Sequence, residues 1–331
     1  MLKYIVKRLL LAILILFGVS VIIYFLIRMM PVNYVENLYY STHQNVEGSE
    51  EDLYRFLAAY GLEDSSFLGI IKGYWHWLVS FLHGDLGVSF KYNQPVGEVI
   101  FRYMGVSFGI SLVSLVLQLI IAIPLGVKSA CNQYGKLDYT VTVLTMIGMS
   151  FPTFFFASLV IKVFAVELGW FETGGLHSAG LISQNPWVRL GDTLWHLIMP
   201  MFVLVILSIG SLMRYTRTNT LEVLNADYIR TARAKGLSES KVVYKHVFRN
   251  TLIPLVTTLA GILPGLFGGA MITETVFQIP GIGNMAYQAL RAGDIPFIMG
   301  YNMFIAVLTV IGILLSDIMY AVVDPRVKLG R

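Results

Sequence analysis

One cysteine, Cys131, is all the thiol chemistry the sequence offers, so no intrachain disulfide and no thiolate zinc cluster can be built. Charge is scarce too: Asp, Glu, Lys and Arg make up 13% of the chain, against about 25% in soluble domains. With 56% hydrophobic residues and a mean hydropathy of +0.69, 331 residues hold too little charge to coat a soluble fold of that size. A disordered chain is excluded on the same ground. The 6 histidines show no short metal-ligand spacing. No G-x-x-x-x-G-K-[ST] phosphate loop occurs, and no Ser-His-Asp or Cys-His set can be assembled.

What the sequence has in quantity is long apolar runs. The stretches 9–27, 104–127, 139–164, 197–213, 252–273 and 297–318 approach or exceed the roughly 20 residues that a membrane-crossing helix needs. They predict an all-α integral membrane protein with six transmembrane helices, at 9–30, 102–127, 139–166, 197–213, 252–274 and 297–318. The first run follows Lys3, Lys7 and Arg8, as a signal peptide would. It exceeds a signal core of roughly 7–15 residues, no small-x-small cleavage site follows Met30, and it reads as a retained anchor.

Orientation follows from charge. With the N-terminus inside, about two thirds of the Lys and Arg fall in segments 1–8, 128–138, 214–251 and 319–331, and most acidic residues fall in the other connections. Such a bias fixes topology during insertion, so both termini are expected in the cytoplasm. The outer segment 31–101 holds Trp75, Trp77 and the acidic Glu50, Glu51 and Asp52, with interfacial helices expected over 53–59 and 68–82. Segment 167–196, with Gly174, Gly175, Gly180 and Pro186, reads as a loop, and 275–296 as a second outer loop.

The centres of the six runs contain no Asp, Glu, Lys, Arg or His. Arg28, Lys162, Glu274 and Asp317 fall near run ends, where long side chains reach the interface. A proton-coupled transporter needs an ionisable group at membrane depth, so an energy source is expected in another chain. His196, at a membrane edge, reads as an interface anchor rather than a ligand.

In the fifth run, Gly261, Gly265 and Gly269 recur every four residues, with Pro264 and Gly268 weakening the backbone hydrogen bonding beside them. Two readings stand. The glycines let neighbouring helices pack closely, or they mark a bendable pore-lining helix with Thr257 and Thr258 near the path.

Residues 214–251 form a long connection whose local grammar is helical. Asn225 is placed to cap a helix over 226–235, with Asp227 in its first turn and Arg233 and Lys235 in its last. Gly236 is placed for a left-handed stop, and Ser238 for the cap of a second helix carrying Glu239, Val242, Val243 and His246. Ala232 and Ala234 keep the first helix slim for a partner. The competing reading is a basic loop that only satisfies topology.

The run Asp227, Tyr228, Ile229, Arg230, Thr231, Ala232, Arg233, Ala234, Lys235, Gly236, Leu237, followed by His246, Arg249, Asn250 and Pro254, resembles the signature loop of ABC importer permeases. More narrowly it is similar to the branch that takes up peptides, nickel and related small solutes. Gly236 and Ala232 match the general Glu-Ala-Ala-x-x-x-Gly signature, while Arg230 and Thr231 stand where it has Glu and the first Ala. Gly84 to Phe90 with Pro95 and Val96, Ile123 to Val127, Phe277 to Gly283, Asp294 to Pro296 and Asp324 to Arg326 resemble further stretches of that branch. Met104-Gly105 and Phe171-Glu172 depart from it where Pro is common.

The resemblance implies a non-catalytic permease with a core over about 98–325 that forms half of a translocation path. Its partners would be a second, similar permease, two ABC ATPase subunits and an extracytoplasmic solute-binding protein, with membrane lipid around the bundle and no nucleic acid. ATP and Mg would belong to the ATPases, with no cofactor or metal on this chain. The helix 226–235 would be the coupling helix seated in an ATPase groove. Gln278, Pro280, Gly281 and Gly283 would face the binding protein, unless they form a plain re-entrant turn at the pore mouth. An ion-coupled secondary transporter and a non-transporting scaffold or sensor are the alternatives on the residues alone.

Overall fold

The computed structural model describes residues 2–28, 66–180, 185–262 and 265–323. The expectations placed on 31–65, on Pro264 and on 324–326 lie outside the described residues. Among these residues the chain is helical, with one isolated antiparallel bridge between Val88 and Pro95 and no longer strand. The helices are α1 (Leu2–Arg28), α2 (Phe67–Leu82), α3 (Val96–Cys131), α4 (Lys136–Ser150), α5 (Thr153–Val160) and α6 (Pro186–Leu224). Then come α7 (Asp227–Ala234), α8 (Glu239–Lys241), α9 (Phe248–Ile262), α10 (Gly265–Gly268), α11 (Met271–Val276), α12 (Ile282–Ala292) and α13 (Ile295–Val323).

Among the described residues, 4 helices are long and apolar enough to cross a membrane: α1 over Arg8–Leu26, α3, α6, and α13 over Ile295–Asp317. A fifth crossing exists only if α4 and the stretch from α5 to Glu167 count as one, and these meet at 99°. The straight third span expected over 139–166 is therefore corrected to a bent pair. Pro152 is the physical reason, because proline pushes the preceding residue out of helical backbone, and Phe151 is extended at φ −81°, ψ 133°. Beyond α5 the helix widens into a π-helical stretch, Ile161–Glu167.

The fifth span expected over 252–274 is likewise not one helix. Gly269, at φ +77°, and Ala270 separate α10 from α11. Six continuous spans are thus not found among the described residues.

Other helices outrun their apolar runs. α3 has 36 residues and α6 has 39. α6 begins inside the expected loop 167–196, because the Trp187 N–H donates to Asn185 Oδ1 at 3.0 Å and Pro186 fills the first turn. That start is corrected from loop to helix.

α3 and α6 run in the same direction as the central pair. Ile110 packs with Met199 and Val203 at one level, and Ala122 with Ile209, Leu212, Met213 and Leu255 at the next. A Cβ on Gly126 of α3 would stand 2.8 Å from the Met213 carbonyl oxygen, so only glycine permits this approach. α4 meets α6 at Gly210, where a Cβ would lie 3.0 Å from the Thr145 carbonyl oxygen. α12 and the start of α13 pack through Ile282 and Phe297 on Val96, Val99 and Ile100 of α3. That cluster also takes in Tyr24 of α1 and Tyr74 of α2, whose hydroxyl is 2.9 Å from Ser20 Oγ. Leu10, Ile13 and Leu14 of α1 and Leu144, Ile147 and Phe154 of α4 and α5 stay exposed, as on a surface coated by hydrocarbon rather than water.

Candidate functional site

At the far end of α6 the chain turns into α7. The expected cap is corrected: Asn225 ends α6, its N–H reaching the Leu221 and Glu222 carbonyls at 3.3 Å and its Nδ2 donating to Leu221 O at 3.0 Å. Ala226 holds the N-cap position of α7 without a side-chain hydrogen bond. α7 spans 227–234, one residue shorter at each end than expected.

Its two faces differ sharply. Ile229 is fully buried and Ala232 nearly so, against Val242 and Val247 with Val223 and Leu224 beside them. Asp227, Tyr228, Arg230, Thr231, Arg233, Ala234 and Lys235 are exposed. The expected partner contact at Ala232 is therefore corrected: Ala232 faces this chain, because positions three apart share a helix face and Ile229 takes the same side. Ala234 remains on the open face. Arg230 lies 3.7 Å from Asp227 there, in a fully solvated pair.

Gly236 makes the corner at φ +75°. The corner is braced from outside, Arg233 Nη2 and Nε donating to the two Glu239 oxygens at 2.6 and 3.1 Å. The guanidinium holds the Glu239 carboxyl below its ordinary pKa range. Leu237 is exposed, and Ser238 takes the N-cap position of α8 without a side-chain hydrogen bond. From Glu239 the backbone stays helical through a π-helical stretch, Val242–Val247, into α9. A continuous helical path thus joins the corner to Ile262, with Pro254 inside α9.

Among the described residues, Gly261 and Gly265 of the fifth run do not form a packing seam. A Cβ on Gly261 or Gly265 would meet nothing within 4 Å. The tight helix approaches lie at Gly126 and Gly210 instead. Gly269 has a different role, at positive φ with a would-be Cβ 2.8 Å from both Glu274 Oε1 and the Gly283 nitrogen.

Residues 269–284 fold back as a hairpin. Gln278 is exposed at its tip with φ +53°, whereas Gly281 and Gly283 are buried and Pro280 is half-buried. Of the four residues expected to face a binding protein, only Gln278 is fully on the surface. The Gly175 N–H donates to the Phe277 carbonyl at 2.9 Å and anchors the tip to the preceding loop. The expected loop 275–296 also contains α12, which ends at the left-handed Gly293.

Three placements escape the sequence. Glu274 is not an interface side chain. It is 1% exposed, accepting the Ala270 N–H at 2.9 Å and the Asn284 N–H at 3.0 Å. Asp138 is buried and held by Arg217, by Ser129 Oγ and by the Tyr134 N–H. His196 is buried too, its Nδ1 2.8 Å from the Asp192 carbonyl and its Nε2 3.3 Å from a Glu172 oxygen, which corrects the interface-anchor reading. Among the described residues no group of three or more His, Cys, Asp or Glu could hold a metal ion.

Comparison with known proteins bears on this geometry. The family model described as "Binding-protein-dependent transport system inner membrane component" matches residues 122–329. The oligopeptide transport system permease protein AppB of Bacillus subtilis (strain 168) is 38% identical over 329 residues, covering 99% of this chain and 100% of that protein. A putative peptide permease protein of Brucella suis is 34% identical, with 99% of each chain covered. The dipeptide transport system permease protein DppB of Alkalihalophilus pseudofirmus is 31% identical over 347 residues, covering 99% of this chain and 100% of that one.

Proposed function

Because the chain belongs to the family of binding-protein-dependent transport system inner membrane components, we propose that it forms half of an ATP-driven import path for peptides. It is a multi-pass membrane permease and a transport subunit rather than an enzyme. The second half of the path comes from a similar permease. Two ABC ATPases dock on the cytoplasmic side and bring the ATP and Mg. A solute-binding protein delivers the peptide from outside. Both termini and the corner at Gly236 are cytoplasmic in this reading, and Gln278 faces outward.

The observation that carries the reading is α7. Its apolar face is seated on its own lever through Ile229 and Ala232, while its charged face is left free for another chain. A displacement of α7 passes through the corner into the continuous helical path of α8 and α9. Among the described residues Gly261 and Gly265 leave open space beside α9 and α10, which suits a surface lining the path or meeting the second permease.

Cysteine crosslinking tests this directly. In a Cys131→Ser background, Thr231→Cys should crosslink to an ATPase subunit, and Gln278→Cys to the binding protein. Labelling by an impermeant thiol reagent should reach Ser240→Cys and Gln278→Cys from opposite sides of the membrane. Crosslinks of Thr231→Cys to neither ATPase, or labelling of both sites from one side, would sink the reading.

A further inference from the structure

The hairpin 269–284 has a carboxylate at its centre. Glu274 sends Oε1 back to the N–H of Ala270, before α11, and Oε2 forward to the N–H of Asn284, in the first turn of α12. Both donors are helix-start amides that no helical carbonyl can satisfy. A negative charge beside the first turn of α12 is also favoured by its dipole. Gly281 and Gly283 close on the carboxylate, since a Cβ on either would collide with Glu274 Oε2. Among the described residues Glu274 has no ion pair, so backbone amides alone hold it.

Around this centre the hairpin is tied outward. Ser107 Oγ of α3 accepts the Ile282 N–H at 2.8 Å, and the Tyr301 hydroxyl of α13 donates to the Gly268 carbonyl at 2.6 Å. Asn284 Nδ2 closes the turn on the Ile279 carbonyl at 2.9 Å. A buried carboxylate costs free energy that two hydrogen bonds offset only in part, and an apolar side chain of like volume would pack there without it. What the charge adds is a fixed geometry across the turn that joins α11 to α12.

We propose that Glu274 is a positioning residue for transport: it clasps α11 to α12, so that the hairpin moves as one body during the transport cycle. The inference rests on the coupling reading of α7 above and extends it to the opposite mouth of the path. Without the clasp, the turn between α11 and α12 is a hinge where the motion is lost.

The test is Glu274→Gln in the assembled complex, with Gly236→Val as a second arm. Glutamine keeps the shape but turns an N–H2 group toward one of the two donors, breaking the clasp on one side. Basal ATPase turnover per complex should stay within about twofold, while turnover stimulated by binding protein and peptide, and peptide uptake, fall by about tenfold or more. If the variant lowers complex yield, the ratio of stimulated to basal turnover per assembled complex decides. A wild-type ratio in Glu274→Gln beside a lost ratio in Gly236→Val overturns the clasp alone. A wild-type ratio in both overturns the reading of α7 as well.

Discussion

Arg217 of α6 grips Asp138 of α4 with two parallel hydrogen bonds, Nε to Oδ1 and Nη2 to Oδ2, each 2.7 Å long. This fork fixes α4 to α6 at the same end as α7, and Asp138 is only 4% exposed. Planar two-point contact is what a guanidinium provides and an ammonium does not.

Arg217→Ala should therefore destabilise the chain by roughly 3 kcal/mol, since it leaves a buried carboxylate without its cation. Arg217→Lys should fall between the two, keeping charge but losing the fork. Thermal unfolding of the purified permease in detergent reads this. Equal midpoints for Arg217→Ala and wild type would show that the pair contributes nothing.

Ala232 and Arg230 lie on opposite faces of α7, so introducing a negative charge at each should fail in different ways. Ala232→Asp buries a carboxylate against Val242 and Val247, at a cost of roughly 1–3 kcal/mol, and should expose the α7 corner to proteolysis. Arg230→Glu changes only an exposed side chain and should leave proteolysis unchanged while weakening ATPase retention. Limited proteolysis and co-purification separate the two, and identical behaviour would contradict the burial pattern.

The glycines make a second contrast. Gly126→Leu should lower the yield of folded permease sharply, because the Met213 carbonyl stands 2.8 Å from the would-be Cβ. Gly265→Leu meets open space and should fold normally, yet reduce uptake if that face lines the path or meets the second permease. Detergent-stable yield and transport measured together give the answer. A yield loss in Gly265→Leu as large as in Gly126→Leu would mean the helices lie closer than described.

At the corner, φ +75° sets the penalty for any side chain at 236. Gly236→Val should cost about 1–2 kcal/mol or more locally, whereas Gly236→Asn is better tolerated in left-handed backbone. Stimulated ATPase turnover should rank wild type, Asn, Val. A Val variant as active as wild type would show that the corner carries no motion.

Much of the region around α7 was legible because its signals are local. Gly236 after a helix with Arg233 in its last turn announces a left-handed stop, and Ser238 before Glu239 announces a new start. The direction of α7 was not legible. Ala232 reads as a small surface residue until Ile229 is seen to share its face and Val242 is seen to cover both. Asn225 misled because the same side chain serves at either end of a helix, and only the position of Leu221 shows which end it closes. Pro152 carried a signal that the single span expected over 139–166 passed over: the 99° bend is where a proline would put it.

By itself the sequence determined that this chain is a helical membrane protein of the importer permease family with no nucleotide-binding loop. Those conclusions follow from composition, run length and a contiguous motif, all properties of neighbours along the chain. Only the tertiary structure decided where Glu274, Asp138 and His196 reside. Each looked like an interface or loop residue. Each became buried when the fold supplied what water would otherwise give: the N–H of Asn284 for Glu274, the guanidinium of Arg217 for Asp138, and the Asp192 carbonyl, with the Glu172 carboxylate set beside the ring, for His196. Whether a polar side chain can leave water depends on partners that only folding assembles.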